Sequence, residues 1–265
     1  MTNITFTVRN GSSSQRGATL IELMVGLVIG MLVVLAATST LIINRTSGNT
    51  ISDSAALSMQ ANQAMRQISF ALKQAGAFEV VPFTPSGSTT LNEVTFILGD
   101  LDKPAPRVLS GSNDVGSGAL KPDALTVYFT NRDTAVTRDC LGNSVSGLNA
   151  EISNAYTVAS GDLRCNGNNP AQALANNVED MQLLYLVMNG SSSQWFKANE
   201  VEAASAWNRV IAVDVCIQLR GDINHGTLLA DTFINCNNVE TSNDQYMRLV
   251  VRQTVQLRNR FNNLM

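Results

Sequence analysis

The sequence predicts an α+β protein. One long N-terminal helix, apolar enough in its first half to cross a bilayer, packs its second half on an antiparallel β-sheet. Three observations predict it. Leu23 to Asn44 carries no charged residue, 22 positions where a helix needs roughly 20 to cross the hydrocarbon core. No proline occurs between Ala18 and Val81, and a helical period of apolar residues continues beyond Asn49. After Pro82 and Pro85 the apolar period changes to two, as in strands with one buried face.

The N-terminal element comes first. Residues 1–17 hold Arg9 and Arg16 and no acid, which places the N-terminus in the cytoplasm and everything after Arg45 outside it. A secretory signal peptide is the competing reading, and "LAAT" at Leu35 to Thr38 imitates its cleavage site. Its apolar core, however, is only roughly 7 to 15 residues long, and here the run is longer and has Glu22 at its start. Thr19 and Glu22 form a TxxE capping box, which accounts for an acid where the helix dipole favours one. The box does not account for the Gly17–Ala18 junction or the polar leader before it. Gly26 and Gly30, in "GLVIG", make a small-xxx-small pattern suited to close helix packing.

The helix then leaves the membrane. Ile51, Ala55, Ala61, Ala64, Met65, Ile68, Leu72 and Ala75 form an apolar stripe that needs a sheet to bury it. One helix is expected to run to about Ala75, where Gly76 supplies a C-terminal stop, and "TSGN" at Thr46 to Asn49, with Gly48, is the weak point in it. The organisation expected is a leader over 1–17, a membrane half over 18–44, an amphipathic half over 45–76 and a β-rich domain over 77–265.

In that domain "EVTFIL" (Glu93 to Leu98), "ALTVYF" (Ala124 to Phe129), "MQLLYLVM" (Met181 to Met188), "VIAVDVCIQL" (Val210 to Leu219) and "YMRLVVRQTVQLR" (Tyr246 to Arg258) read as strands. In the last two, Ile211, Val213, Val215, Ile217 and Leu219 oppose Asp214, Cys216, Gln218 and Arg220, while Met247, Leu249, Val251, Val255 and Leu257 oppose the arginines. Ser110 to Gly118, Asn166 to Asn169 and Asn189 to Ser193 read as loops. The four cysteines, Cys140, Cys165, Cys216 and Cys236, are an even set outside any CxxC or Cys/His pattern, as in an oxidising compartment. Of three pairings, Cys140 with Cys165 and Cys216 with Cys236 are favoured because each closes a local Asn/Gly-rich loop.

Chemistry is sparse. HExxH, GxSxG, the P-loop and GxGxxG are all missing, and His225 in "DINHGT" reads as a surface turn residue. Glu179 and Asp180, as neighbours on a strand, are expected on opposite faces. Neither a cofactor nor a metal is expected. Arg248, Arg252, Arg258 and Arg260 form the candidate contact for an anionic partner, weighed against a solvated strand face. The formal charge is −3, and without residues 1–17 there remain 16 basic and 21 acidic residues, or −5, so nucleic acid is not an expected partner.

The start of the chain resembles a known signal. Gly17, Ala18-Thr19-Leu20-Ile21-Glu22, Met24-Val25 and the apolar run are similar to the class III signal of type IV prepilins and type II secretion pseudopilins. The resemblance implies cleavage by a prepilin peptidase between Gly17 and Ala18 and methylation of the new amine on Ala18, where the family most often has Phe. It makes Glu22 the fifth residue of the mature chain. "NNVEDMQLLYLV" from Asn176, Trp207 with "RVIAVDVCIQLR" from Arg209, and "VVRQTVQLRN" from Val250 resemble the C-terminal half of PilW-type minor pilins and, more loosely, GspJ-type pseudopilins.

This resemblance implies a type IV pilin-like fold and a minor pilin of the inner membrane that passes into the pilus fibre. Implied partners are the prepilin peptidase, other minor pilins, the major pilin, the assembly platform and a tip adhesin. Three rivals stand beside it: a secretion pseudopilin, a DNA-uptake pilin using the arginine row, and a membrane-tethered enzyme.

Overall fold

A computed structural model describes residues 17, 19–77, 108–115, 120–130, 138–145, 151–167, 170–226 and 229–259. Ala18, Arg260 and the strand expected at Glu93 to Leu98 lie outside the described residues. The chain divides into two units, Met1–Asn49 and Thr50–Met265.

The first unit holds the start of helix α1 (Leu20–Gln74). From Leu20 to Leu35 its large apolar side chains are all more than half exposed, and the most apolar 18-residue window has a mean hydropathy of 2.7 with none of it buried. Such a surface is stable only in lipid or against other apolar helices. The hydroxyls in this run are internally satisfied: Thr38 Oγ1 donates to the Val34 carbonyl at 2.8 Å, Ser39 Oγ to Leu35 at 2.9 Å and Thr40 Oγ1 to Ala36 at 2.9 Å. Each removes a polar group from the lipid-facing surface. α1 stays helical through Thr46 to Asn49, so the single long helix expected runs through its weak point at Gly48. One interior glycine costs only about 1 kcal/mol, less than the long helices on either side supply.

In the second unit the remainder of α1 is amphipathic, but its stripe is not quite the one read from the sequence. The buried positions are Asp53, Leu57, Ala61, Ala64, Met65, Ile68, Ser69, Ala71 and Leu72, while Ile51 and Ala55 are exposed. Spacings of four and three run back from Leu72 through Ile68, Ala64, Ala61 and Leu57 to Asp53, so Ile51 and Ala55, each two residues from Asp53, fall on the opposite side of the helix. Fully burying Leu57, Ile68 or Leu72 contributes about 1.5–3 kcal/mol each. Ala75 continues the stripe, and Gly76, at φ +70°, ends the helix with its N–H donating to the Tyr128 carbonyl at 2.8 Å. A side chain at Gly76 would overlap the Asn259 carbonyl.

The first sheet is an antiparallel meander of β1 (Leu109–Ser112), β2 (Ala124–Thr130), β3 (Glu151–Ala159), β4 (Asp162–Asn166) and β5 (Gln172–Asn176), in that order. Only β2 is among the strands expected. β4 and β5 are short, and β3 is long but mixes polar residues into its alternation; the cue for β3 and β4 was the turn between them, where Ser160 and Gly161 both have positive φ, a two-residue hairpin connection. β1 occupies the start of the loop expected from Ser110. It is built by backbone pairing to β2, from Leu109 with Val127 to Ser112 with Ala124, which asks little of side chains.

The second sheet has the order β11-β8-β6-β7, with β6 (Val178–Asn189), β7 (Ser192–Phe196), β8 (Val210–Asn224) and β11 (Tyr246–Gln256). Helix α2 (Ala198–Ala203) and a 3₁₀ turn (Trp207–Arg209) link β7 to β8. β6, β8 and β11 match the sequence reading, and β7 begins inside the expected Asn189 to Ser193 loop. The expected alternation fails on β8, where Val215, Cys216, Ile217, Gln218 and Leu219 are all buried. Cys216 is bonded to Cys236, which holds the small hairpin of β9 (Thr232–Ile234) and β10 (Glu240–Ser242) to the strand's second face. Cys140 is bonded to Cys165.

The Cys216–Cys236 bond closes a separation of 20 residues. Replacing both cysteines by serine is expected to lower the unfolding free energy by about 3 kcal/mol, as loop-closure entropy is returned to the unfolded chain. Denaturant titration of the two proteins side by side measures it.

Candidate functional site

Three polar constellations stand out. The first opens α1. The Thr19 N–H donates to Glu22 Oε2 at 3.0 Å, the Thr19 hydroxyl to the same oxygen at 3.2 Å, and the Glu22 N–H returns a bond to Thr19 Oγ1 at 3.3 Å. This is a complete capping box. It fixes where the helix begins and holds a carboxylate at the edge of an uncovered apolar surface. Around Gly26 and Gly30 nothing lies within 4 Å of where a Cβ would sit, so the small-residue face is open to a neighbour. Gly17 is exposed.

The second was not legible in advance. His225, expected as a surface turn residue, has a side chain only 2% exposed. Its Nε2 lies 2.9 Å from Asp53 Oδ2, and its Nδ1 lies 3.4 Å from Thr50 Oγ1. The backbone N–H of His225 donates to the Gln245 carbonyl at 2.9 Å, which ties the end of β8 to the start of β11. A Cβ on Gly221 would overlap the Asp53 carboxylate, so glycine is required for the strand to come this close. The order hydroxyl, imidazole, carboxylate is that of a proton relay, but an imidazole sealed from solvent gives a substrate no approach, and the constellation works as a clamp. Asp53 was missed because it is an acid on a stripe defined by apolar residues. The available signal was its position four residues before Leu57.

The third surrounds Glu179. Arg248 binds it with two parallel bonds, Nε to Oε2 at 3.0 Å and Nη2 to Oε1 at 3.1 Å, and Arg220 Nε lies 3.5 Å from Oε1. Asp244 pairs with both Arg248 and Arg220, and these bonds hold its carboxyl well below the usual range. The Arg220 guanidinium also lies over the Tyr246 ring, 3.6 Å from its centre. Arg252 Nη1 lies 3.5 Å from Asp214 Oδ2, and its Nη2 donates to the Cys236 carbonyl at 2.6 Å.

The arginine row is therefore neither a free cationic face nor a simply solvated one. Arg248 and Arg252 are committed to carboxylates of their own fold, Arg258 is exposed, and Arg260 lies outside the described residues. Glu179 and Asp180 are corrected too. A register shift between Val178 and Asp180 marks a bulge, and it brings both acids to Gln218: Glu179 accepts from its Nε2 at 2.9 Å, and Asp180 is its ladder partner.

Among the described residues no group of three or more His, Cys, Asp or Glu is arranged to hold a metal ion.

The family described as Type IV Pilus-assembly protein W matches residues 147–259, the region of β3 to β11. The prokaryotic N-terminal methylation motif matches residues 12–38, the leader junction, the capping box and the first turns of the apolar helix. Among solved structures, the type IV-like pilin TTHA1219 from Thermus thermophilus matches at 15% identity, over 77% of this chain and 96% of that one, with a TM-score of 0.44. No curated protein matches. The chain thus carries a prepilin-type methylation motif at its start and a PilW-type pilus-assembly region over its C-terminal part. Its N-terminal helix anchors it in the inner membrane, its β-rich domain lies outside the cytoplasm, and it is processed by, and associated with, the pilus machinery.

Proposed function

We propose that this chain is a minor pilin that joins other minor pilins in a complex priming type IV pilus assembly, at or near the fibre tip. The observation that carries this reading is the pairing of a capped acid, Glu22, with an apolar helix surface that nothing in its own unit covers. A prepilin peptidase removes residues 1–17, cutting after Gly17, and Ala18 becomes the methylated N-terminal residue. Both hydrogen bonds that Glu22 accepts within the capping box fall on Oε2, which leaves Oε1 to receive the amine of an adjacent subunit. Charge pairing in lipid lowers the cost of holding either group there, so assembly follows cleavage. Gly26 and Gly30 let the next helix approach closely. The role is structural and turns over no substrate. The partners are the peptidase, the other minor pilins, the major pilin, the inner-membrane platform and a tip adhesin.

The test is the intact mass of the protein from its native host, with and without the peptidase. Loss of residues 1–17 plus one added methyl group is expected only where that enzyme is present. Protein that still begins at Met1 in assembled fibres would overturn the reading. Deletion is expected to abolish piliation and leave protein export intact; the opposite phenotype would make the chain a secretion pseudopilin.

A further inference from the structure

Among the described residues, four buried side-chain atoms have no hydrogen-bond partner: Asp180 Oδ2, Tyr185 Oη, Gln218 Oε1 and Arg220 Nε. Two of them belong to one cross-strand pair, since β6 and β8 place Asp180 opposite Gln218. Side chains of such a pair share a face, with Cβ atoms about 5 Å apart. Both orphans are acceptors. An ionised carboxylate and an amide carbonyl in this position repel each other, and both residues are only 1% exposed.

Gln218 cannot escape by turning its amide. Its Nε2 already donates to Glu179 Oε2 at 2.9 Å, and a flip would set its carbonyl against a carboxylate that Arg248 grips with two bonds. On the other side, Asp180 Oδ1 accepts from Gln182 Nε2 at 2.9 Å. One proton placed on Oδ2 satisfies both orphans at once. We propose that under mildly acidic conditions Asp180 is carried as the neutral acid, with its Oδ2–H donating to Gln218 Oε1, and that loss of this bond towards neutral pH makes the β6–β8 ladder a pH-sensitive joint in the second sheet.

The charged surroundings agree. The anions acting on Asp180 are Asp123 and Glu179, and both oppose its ionisation. The neighbouring cations, Arg248 and Arg220, bind Glu179 rather than Asp180. Burial is the largest influence and, with these carboxylates, it pushes the Asp180 carboxyl from 3.8 up to about 6 against the lowering bonds from Gln182 and Met181. The sign follows. A carboxyl whose value is higher in the folded state binds its proton more tightly there, so stability is highest below the unfolded value and falls as pH rises through the folded one. With values of 3.8 and about 6, the folding equilibrium constant falls by up to about 100-fold across that interval.

The experiment uses the full chain in detergent micelles. Asp180→Asn keeps a donor facing Gln218 but cannot ionise. Denaturant unfolding between about pH 4 and pH 7 is expected to show the wild type losing up to about 100-fold in folding equilibrium relative to Asp180→Asn. Infrared spectra are expected to show a protonated-carboxyl band in the wild type that survives above the ordinary aspartate range and is missing from the variant. Parallel pH profiles, or a wild type without that band at about pH 5, would overturn the proposal. If Asp180→Asn fails to fold, the wild-type infrared titration decides the matter alone.

Discussion

Glu22→Ala is expected to remove the protein from fibres, with incorporation falling by about 100-fold or more, while its level in the membrane stays near that of the wild type. The magnitude follows from the cost of an unpaired charge in a membrane helix, about 2.5–3.5 kcal/mol at its centre, against about 1.4 kcal/mol per factor of ten. Without the carboxylate, the amine that cleavage exposes on a neighbouring subunit enters lipid with no counter-charge. Alanine also removes the capping box, in which Thr19 and Glu22 exchange hydrogen bonds. Glu22→Gln separates the two effects, because glutamine still closes the box but carries no charge. If the charge matters, Glu22→Gln fails to assemble as Glu22→Ala does. Fibres sheared from cells and probed for the subunit provide the measurement, and normal incorporation of Glu22→Gln would leave Glu22 with a purely helix-starting role.

Asp53→Ala is expected to lower stability by about 3 kcal/mol, because it strands a buried imidazole. His225 Nε2 has Asp53 as its partner at 2.9 Å, and with the side chain 2% exposed water cannot take the carboxylate's place. Denaturant unfolding of the detergent-solubilised chain measures the loss. A double-mutant cycle with His225→Phe isolates the pair, since removing both polar groups is expected to cost less than removing one. Hydrogen exchange should localise the damage: residues 50–57 and 221–226 open more readily, while the apolar stripe from Ala61 to Leu72 keeps its protection. A uniform loss across the helix would mean that Asp53 acts on global stability rather than as a local clamp.

The parts of the fold legible in advance are those where one strand or helix carries its own evidence. β6, β8 and β11 announce themselves by runs of Val, Ile and Leu, and the membrane half of α1 by length and absence of charge. β3, β4 and β5 do not, since Glu151–Ala159 and Gln172–Asn176 mix Asn, Ser, Thr and Ala and become strands through pairing with neighbours. The helix stripe shows a finer limit. Ile51 and Ala55, four residues apart, look like one turn of a stripe, but their spacing to Ala61 sets them on another face from Leu57, and which face is buried is decided by where the sheets approach.

At the candidate sites the same boundary appears. Thr19, Glu22 and the Gly17–Ala18 junction lie within six positions of one another, and their chemistry is local, so the amino-acid order alone specified the helix start, the membrane anchor and the processing signal. The partnerships of Asp53 with His225, Arg248 with Glu179 and Asp180 with Gln218 join residues far apart in the chain. Which polar groups end up facing each other depends on register, a bulge and the direction of packing, and those are decided only when many weak contacts settle together. Hence a solitary histidine on a loop became a buried clamp, and two arginines of the row, Arg248 and Arg252, became ion-paired within the fold.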